Sequence, residues 1–334
     1  MILPLLELEL AFAAESEVRF LEFAGSAWRG ALGHALKRMV CVMRLRPCAG
    51  CPLEFSCPYP SIFEARPPPD ARKMRRYERI PQPFVLDPLT PVPCTLAPGD
   101  PFRLRLVLVG RASRSAVYVL KALEEGAARG VGIGFGRLRL ASIRRHSPRG
   151  AAARSDGGAL SLEPEPVPIP ERPQRVRVVL ERPLRLAQDG RLLGPERFRP
   201  YPFLMALLRR VSMLSEFYGE GPLEVDFRAL KEEARRVEAG AVDLTWREQK
   251  RRSARQGGML RMGGIVGSFT LDLDRAPDFW PFLWLGQKLH LGKGASMGLG
   301  RYRLEGGPAG LPPAAGGVDR ARLYSGGDGE TDRP

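Results

Sequence analysis

A chain of 334 residues with 52 lysines and arginines against 37 aspartates and glutamates has a net charge of +15. That surplus points to a polyanion partner, most simply nucleic acid. No run of about 18 apolar residues exists, so no membrane span is indicated, and the first ten residues lack the basic leader of a secreted chain; the expected location is the cytoplasm.

The basic residues are unevenly chosen, since only seven of the 52 are lysine. Guanidinium forks match phosphate oxygens in pairs and stack on bases, which suits RNA.

Taken in order, Leu5 to Phe12 alternates like a strand. Ser26 to Met43 reads as a helix, with Trp28, Leu32, Ala35, Leu36, Met39 and Met43 on one apolar face. His34, Lys37, Arg38 and Cys41 fall on the other side. A cysteine- and proline-rich insert runs from residue 41 to 101, with a short extended piece near Phe84 to Leu86. Phe102 to Val109 is a clean strand, Ser115 to Arg129 a helix, and Arg137 to Ile143 a strand. The order is β-α-β-β-α-β, the split βαβ pattern.

Residues 144–174 have the composition of a linker. A second pass follows: strand Arg175 to Arg182, helix Tyr201 to Tyr218, a charged helix from Phe227 to Glu238, and strands Ala241 to Trp246 and Ile265 to Leu273. Helix Asp278 to Leu289 and strand Arg301 to Leu304 close it. Residues 306–334 are expected to be disordered.

Two punctuation marks relate the passes. Gly134-Phe135-Gly136-Arg137-Leu138-Arg139-Leu140 and Gly298-Leu299-Gly300-Arg301-Tyr302-Arg303-Leu304 agree at five of seven positions, 164 residues apart. Each follows a helix, which signals a duplication. The expected fold is α+β, two tandem ferredoxin-like (RRM-like) β-α-β-β-α-β domains at 1–143 and 175–305. Gly292, Gly294, Gly298 and Gly300, with Lys293, Ser296 and Arg301 among them, leave a backbone that can approach phosphate closely, an anion nest. The order helix, glycines, strand excludes a Rossmann or P-loop fingerprint. Between the central strands of the second pass, Arg247, Lys250, Arg251, Arg252 and Arg255 tip a hairpin that can straddle an RNA groove.

Cys41, Cys48, Cys51 and Cys57 are spaced C-x6-C-x2-C-x5-C. In a cytosolic chain this reads as a structural metal cluster, zinc or else iron–sulfur, with small buried thiols as the plain alternative. Cys94 stands apart and is expected to pack.

Three blocks carry a family resemblance: Arg29 to Leu36, the cysteine block from Cys48 to Glu64, and His290 to Tyr302. Together with the duplication they resemble the RAMP superfamily of CRISPR proteins, and its repeat-processing endoribonucleases in particular. The likeness covers about residues 1 to 305. It implies metal-independent cleavage of CRISPR precursor RNA within repeats, as part of antiviral defence. The 2′-oxygen would attack to leave a 2′,3′-cyclic phosphate and a 5′-hydroxyl. The alternative is a non-catalytic RNA-binding subunit working with other Cas effector subunits.

Such chemistry needs a base, an acid and cations for the phosphorane charge, and no cofactor. Only three histidines are present. His34 sits on the first helix with Lys37 and Arg38 one turn on, a setting that favours the neutral form a base requires. It is the candidate base, with Lys37 as its catalytic companion; Arg29 and Arg38 are candidate RNA contacts. His290 abuts the glycine run and is a further candidate for RNA contact. His146 falls in the expected linker.

Overall fold

The structure is a computed structural model that describes residues 3–43, 48–69, 71, 79–147, 152–154, 160–188, 190–252 and 259–306. The first half holds strands β1 (Pro4–Ala14) and β2 (Val18–Phe20), helices α1 (Ala24–Val40) and α2 (Pro58–Phe63), and strands β3 (Phe84–Pro88), β4 (Cys94–Leu96) and β5 (Pro101–Val109). It continues with α3 (Ala116–Arg129), β6 (Leu138–His146), β7 (Ala152–Arg154) and β8 (Glu165–Pro166). The second half runs through β9 (Arg175–Leu184), β10 (Ala187–Gln188), β11 (Arg191–Leu192), α4 (Pro200–Tyr218) and α5 (Phe227–Arg236). Strands β12 (Ala239–Arg247), β13 (Lys250–Arg252), β14 (Met259–Arg261) and β15 (Gly264–Asp272), helix α6 (Trp280–Leu289) and strand β16 (Tyr302–Glu305) complete it.

Both halves solve the same packing problem in the same way. The sheet orders are β3-β5-β1-β6, extended by β7, and β12-β15-β9-β16. In each, the first strand of the unit lies between the third and fourth, and the second is at an edge. All eight strands pair antiparallel. This is the ferredoxin-like arrangement, present twice, and the α+β expectation holds.

Aromatic wedges fix each helix to its sheet. Trp28 of α1 lies 4.6 Å from Phe12 and 5.3 Å from Phe102, which face one another across the β1–β5 ladder. In the second half Phe203 of α4 lies 5.4 Å from Phe269 and 5.5 Å from Tyr302. Such pairs add about 0.5–1.5 kcal/mol beyond the area they bury.

Two boundaries differ from expectation. α1 stops at Val40, so Met43 lies beyond it and is 36% exposed. The stretch 144–174 is more than a linker: β6 continues to His146, and β8 pairs with the end of β1. Arg144 reaches Glu9 at 2.8 Å, and Arg145 holds Glu165 at 2.5 Å. These pairings draw a polar, proline-rich segment onto the sheet, which its composition does not reveal. The expected disordered tail lies outside the described residues apart from Gly306. Among the described residues no helix is long and apolar enough to cross a membrane.

Candidate nucleic-acid interface

α1 supplies the cationic face. Its buried stripe is Trp28, Leu32, Ala35 and Leu36, so the helical period turns His34 and Arg38 outward, where both are exposed. Lys37, between them, rests its ammonium 5.2 Å from the centre of the Tyr59 ring, and the Arg29 guanidinium lies 5.1 Å from that of Phe63. Tyr59 and Phe63 stack on each other at 5.6 Å. The short helix α2 thus forms an aromatic wall that orients two cations flanking His34.

Gln82 ties this face to the distant glycine run. Its carbonyl oxygen accepts from Arg29 Nε at 3.2 Å and from Ser296 Oγ at 2.6 Å, while its amide donates to the Phe63 carbonyl at 2.8 Å. Nothing in the sequence marked Gln82.

The glycine run itself departs from the nest expected of it. The amides of Lys293, Ala295, Met297, Gly298, Leu299 and Gly300 already donate to backbone carbonyls, those of Lys293 and Gly300 to Arg185 and Pro183. The loop is wedged between the halves. A Cβ on Gly298 would meet the Leu86 carbonyl at 3.0 Å, and one on Gly300, at φ +64°, would meet that of Leu291 at 1.8 Å. Close packing and positive φ, rather than phosphate approach, account for glycine there. Lys293 is the exposed cation of the loop. Gly292, Gly294 and Ser296 are partly exposed beside it.

His290 and Arg301 are corrected outright as RNA contacts. His290 is fully buried and Arg301 is 7% exposed. Arg301 donates from Nη1 to Asp87 Oδ2 at 3.1 Å and pairs through Nε with Glu181 Oε2 at 2.6 Å. Asp87, itself fully buried, also receives Arg105 at 2.7 Å. Arg182 donates to the Pro88 carbonyl at 3.2 Å, and Lys288 reaches Glu7 at 2.5 Å. Asp87, Arg105 and Glu7 come from the first sheet; Glu181, Arg182, Lys288 and Arg301 come from the second half. An ionic clasp therefore joins the halves, and sequence reasoning missed its centre.

The clasp sets the charge of His290. Burial drives its imidazole down to about 3; Asp87 pulls upward, while Arg105, Arg301 and Arg210 push down. The unfolded chain takes up that proton near 6.5, so between the two values the unfolded state binds more protons. Stability is therefore expected to fall as pH drops below about 6.5, by up to about 1.4 kcal/mol per pH unit from this residue. Denaturant titrations across that range should show a shallower fall in His290→Asn; an unchanged slope would mean the imidazole is already charged in the fold.

The basic hairpin exists. β12 and β15 pair as far as Arg247 and Gly264, Gln249 accepts from the Met262 amide at 2.7 Å, and β13 and β14 carry the ladder onward. Arg247 is exposed. Lys250, Arg251 and Arg252 make up β13. Arg255 lies outside the described residues.

Cys41, Cys48, Cys51 and Cys57 line one small cavity of about 20 Å³, room for a single water-sized occupant. Yet among the described residues no three His, Cys, Asp or Glu side chains are disposed to hold a metal ion. Burial, with Glu64 nearby, pushes the Cys48 thiol up to about 11, and burial raises Cys57 as well. Gathered thiols are the plain alternative to a cluster, and the zinc reading is not supported. Cys94 packs against the core as expected.

Residues 3–165 match the family AF_1859_N, an N-terminal domain, and residues 178–302 match CRISPR-associated endoribonuclease Cas6. Residues 178–302 form a Cas6-family domain. Similar solved structures include a Cas6 product complex, at 17% identity and TM-score 0.53 over 90% of this chain and 98% of that one. Cas6 of Thermus thermophilus matches at 16% and TM-score 0.51, over 90% and 98%. A partial Cas6-RT-Cas1–Cas2 complex matches at 15% and TM-score 0.56, over 93% of this chain and 48% of that one. No curated protein matches. At these identities the likeness establishes the Cas6 fold, with its two ferredoxin-like units. Within it, His34, Lys37 and Arg38 lie toward the C-terminal end of α1, whereas Arg29 lies nearer the other end, where Gln82 joins it to Ser296 of the glycine run.

Proposed function

We propose that this protein is a metal-independent endoribonuclease that cleaves CRISPR precursor RNA within its repeats. The observation that carries this reading is the outward face of α1. An exposed imidazole, His34, stands beside a lysine held on an aromatic ring and within a turn or two of two arginines.

The chemistry follows from that arrangement. His34 takes the proton of the 2′-hydroxyl, and the 2′-oxygen attacks the adjacent phosphorus. Lys37 opposes the charge that builds on the phosphorane oxygens. The bond from phosphorus to the 5′-oxygen breaks, and that oxygen leaves with a proton from an acid or water. The products are a 2′,3′-cyclic phosphate and a 5′-hydroxyl. Arg29, Arg38, Arg247, Lys293 and the β13 strand supply phosphate contacts along the substrate. No divalent ion takes part in these steps.

Incubating the protein with end-labelled repeat RNA in excess EDTA tests the reading. A discrete product with a cyclic phosphate, resistant to phosphatase until opened by acid, is expected. Tight binding with intact RNA would instead favour a non-catalytic subunit of an effector complex.

A further inference from the structure

The duplicated turn gives the molecule an internal comparison. In the second copy the turn is packed away. Leu299 is fully buried, Arg301 is paired with Asp87 and Glu181, and Arg303 is paired with Glu181 at 3.2 Å and with Glu305. In the first copy each counterpart faces solvent. Phe135, in the place of Leu299, is 75% exposed, more than any other large hydrophobic among the described residues. Arg137 and Arg139 are exposed, and no carboxylate pairs with either among the described residues. A Cβ on Gly134 would meet nothing within 4 Å, whereas its counterpart Gly298 is packed against Leu86.

The backbone makes this exposure hard to dismiss. Phe135 has φ +55°, a region bulky side chains rarely enter and one that tends to mark functional positions. The turn is nonetheless pinned. Val131 donates to the Gly136 carbonyl at 2.8 Å and Ile133 to that of Arg19 at 2.9 Å. The ring is therefore held outward on a fixed support, beside two arginines. Leu138 between them is fully buried, so alternation turns both guanidinium groups to the outer side. Arg129, at the end of α3, is exposed as well.

We infer that Phe135 is a stacking platform for an unpaired base of RNA, with Arg137 and Arg139 gripping the flanking phosphates. This rests on the RNA-binding reading above and adds a second contact region to it. An aromatic face accepts any base, and uncompensated arginines beside it take the backbone. A protein partner is a poorer fit, because one ring among arginines offers no contiguous apolar area of the size stable interfaces bury.

The test uses the full chain and an unstructured oligoribonucleotide carrying one 2-aminopurine. Wild type should bind it and quench the fluorescent base by stacking. Phe135→Ala should weaken binding about tenfold and abolish the quench, while Phe135→Trp should restore both. Arg137→Ala with Arg139→Ala should lower the slope of log affinity against log salt by about 1.4, two phosphates' worth on a single strand. Because Phe135 is exposed and strained, Phe135→Gly serves as a second variant in which the backbone is relaxed and the ring alone is missing. Equal affinity and equal quench in wild type and both truncations would overturn the inference and leave the function standing. Unchanged RNA binding with a shift in sedimentation would assign the ring to a second copy of the chain. A wild type with no affinity for RNA would overturn both readings.

Discussion

His34→Ala is expected to slow single-turnover cleavage of repeat RNA by about 10²- to 10⁴-fold, the range a positioned proton-transfer group contributes. Affinity for the RNA should stay close to that of the wild type. His34 is exposed, so folding stability should move by less than about 0.5 kcal/mol. That combination separates three roles. A loss of rate alone marks the base. A parallel loss of rate and affinity would make His34 a phosphate contact. Unchanged cleavage would place the base elsewhere, since His290 is buried and His146 Nε2 lies 3.2 Å from Glu9. Lys37→Ala should be milder, because Arg38 and Arg29 remain on the same helix.

Asp87→Ala should destabilise the protein by about 3–5 kcal/mol, because it strands two arginines that lie almost entirely out of water. Arg105 is 9% exposed and Arg301 7%. Against a typical total of about 5–15 kcal/mol, such a loss would approach unfolding. Burial pushes the Asp87 carboxyl up, but Arg105 and Arg301 pull harder and hold it below the ordinary carboxylate range. Its contribution is therefore present above that range and is lost as pH falls through the lowered value. Denaturant midpoints at neutral pH measure the effect. A loss below about 1 kcal/mol would mean that the clasp is solvated and dispensable. Exchanging the charges together for apolar residues of similar volume should cost far less than removing Asp87 alone.

Much of the architecture was legible because it is written twice. Each copy has the same element order, and the repeated G-x-G-R-x-R-L fixed their alignment. The outward face of α1 was legible from helical period alone. What could not be read was which surfaces meet. Leu-Glu alternation in β1 implies one wet face, yet Glu7 and Glu9 are 5% and 7% exposed because α6 and neighbouring arginines cover them. Asp87 lies within a short strand, just after its apolar residues, and carries no local mark of its role. The glycine run looked like an anion site because a nest and a tight joint call for the same residues; only the neighbours distinguish them. The cysteine spacing gathered the thiols as expected, but spacing does not establish ligand geometry.

The clasp has a consequence for synthesis on the ribosome. Asp87 and Arg301 are 214 positions apart in the chain, and Glu7 and Lys288 are 281 apart. The face of the first sheet that bears Glu7, Val85, Asp87 and Val107 is therefore complete only after the closing strand has emerged. Until then an apolar, charged surface waits uncovered through most of translation, a stage at which nascent chains depend on holdase chaperones.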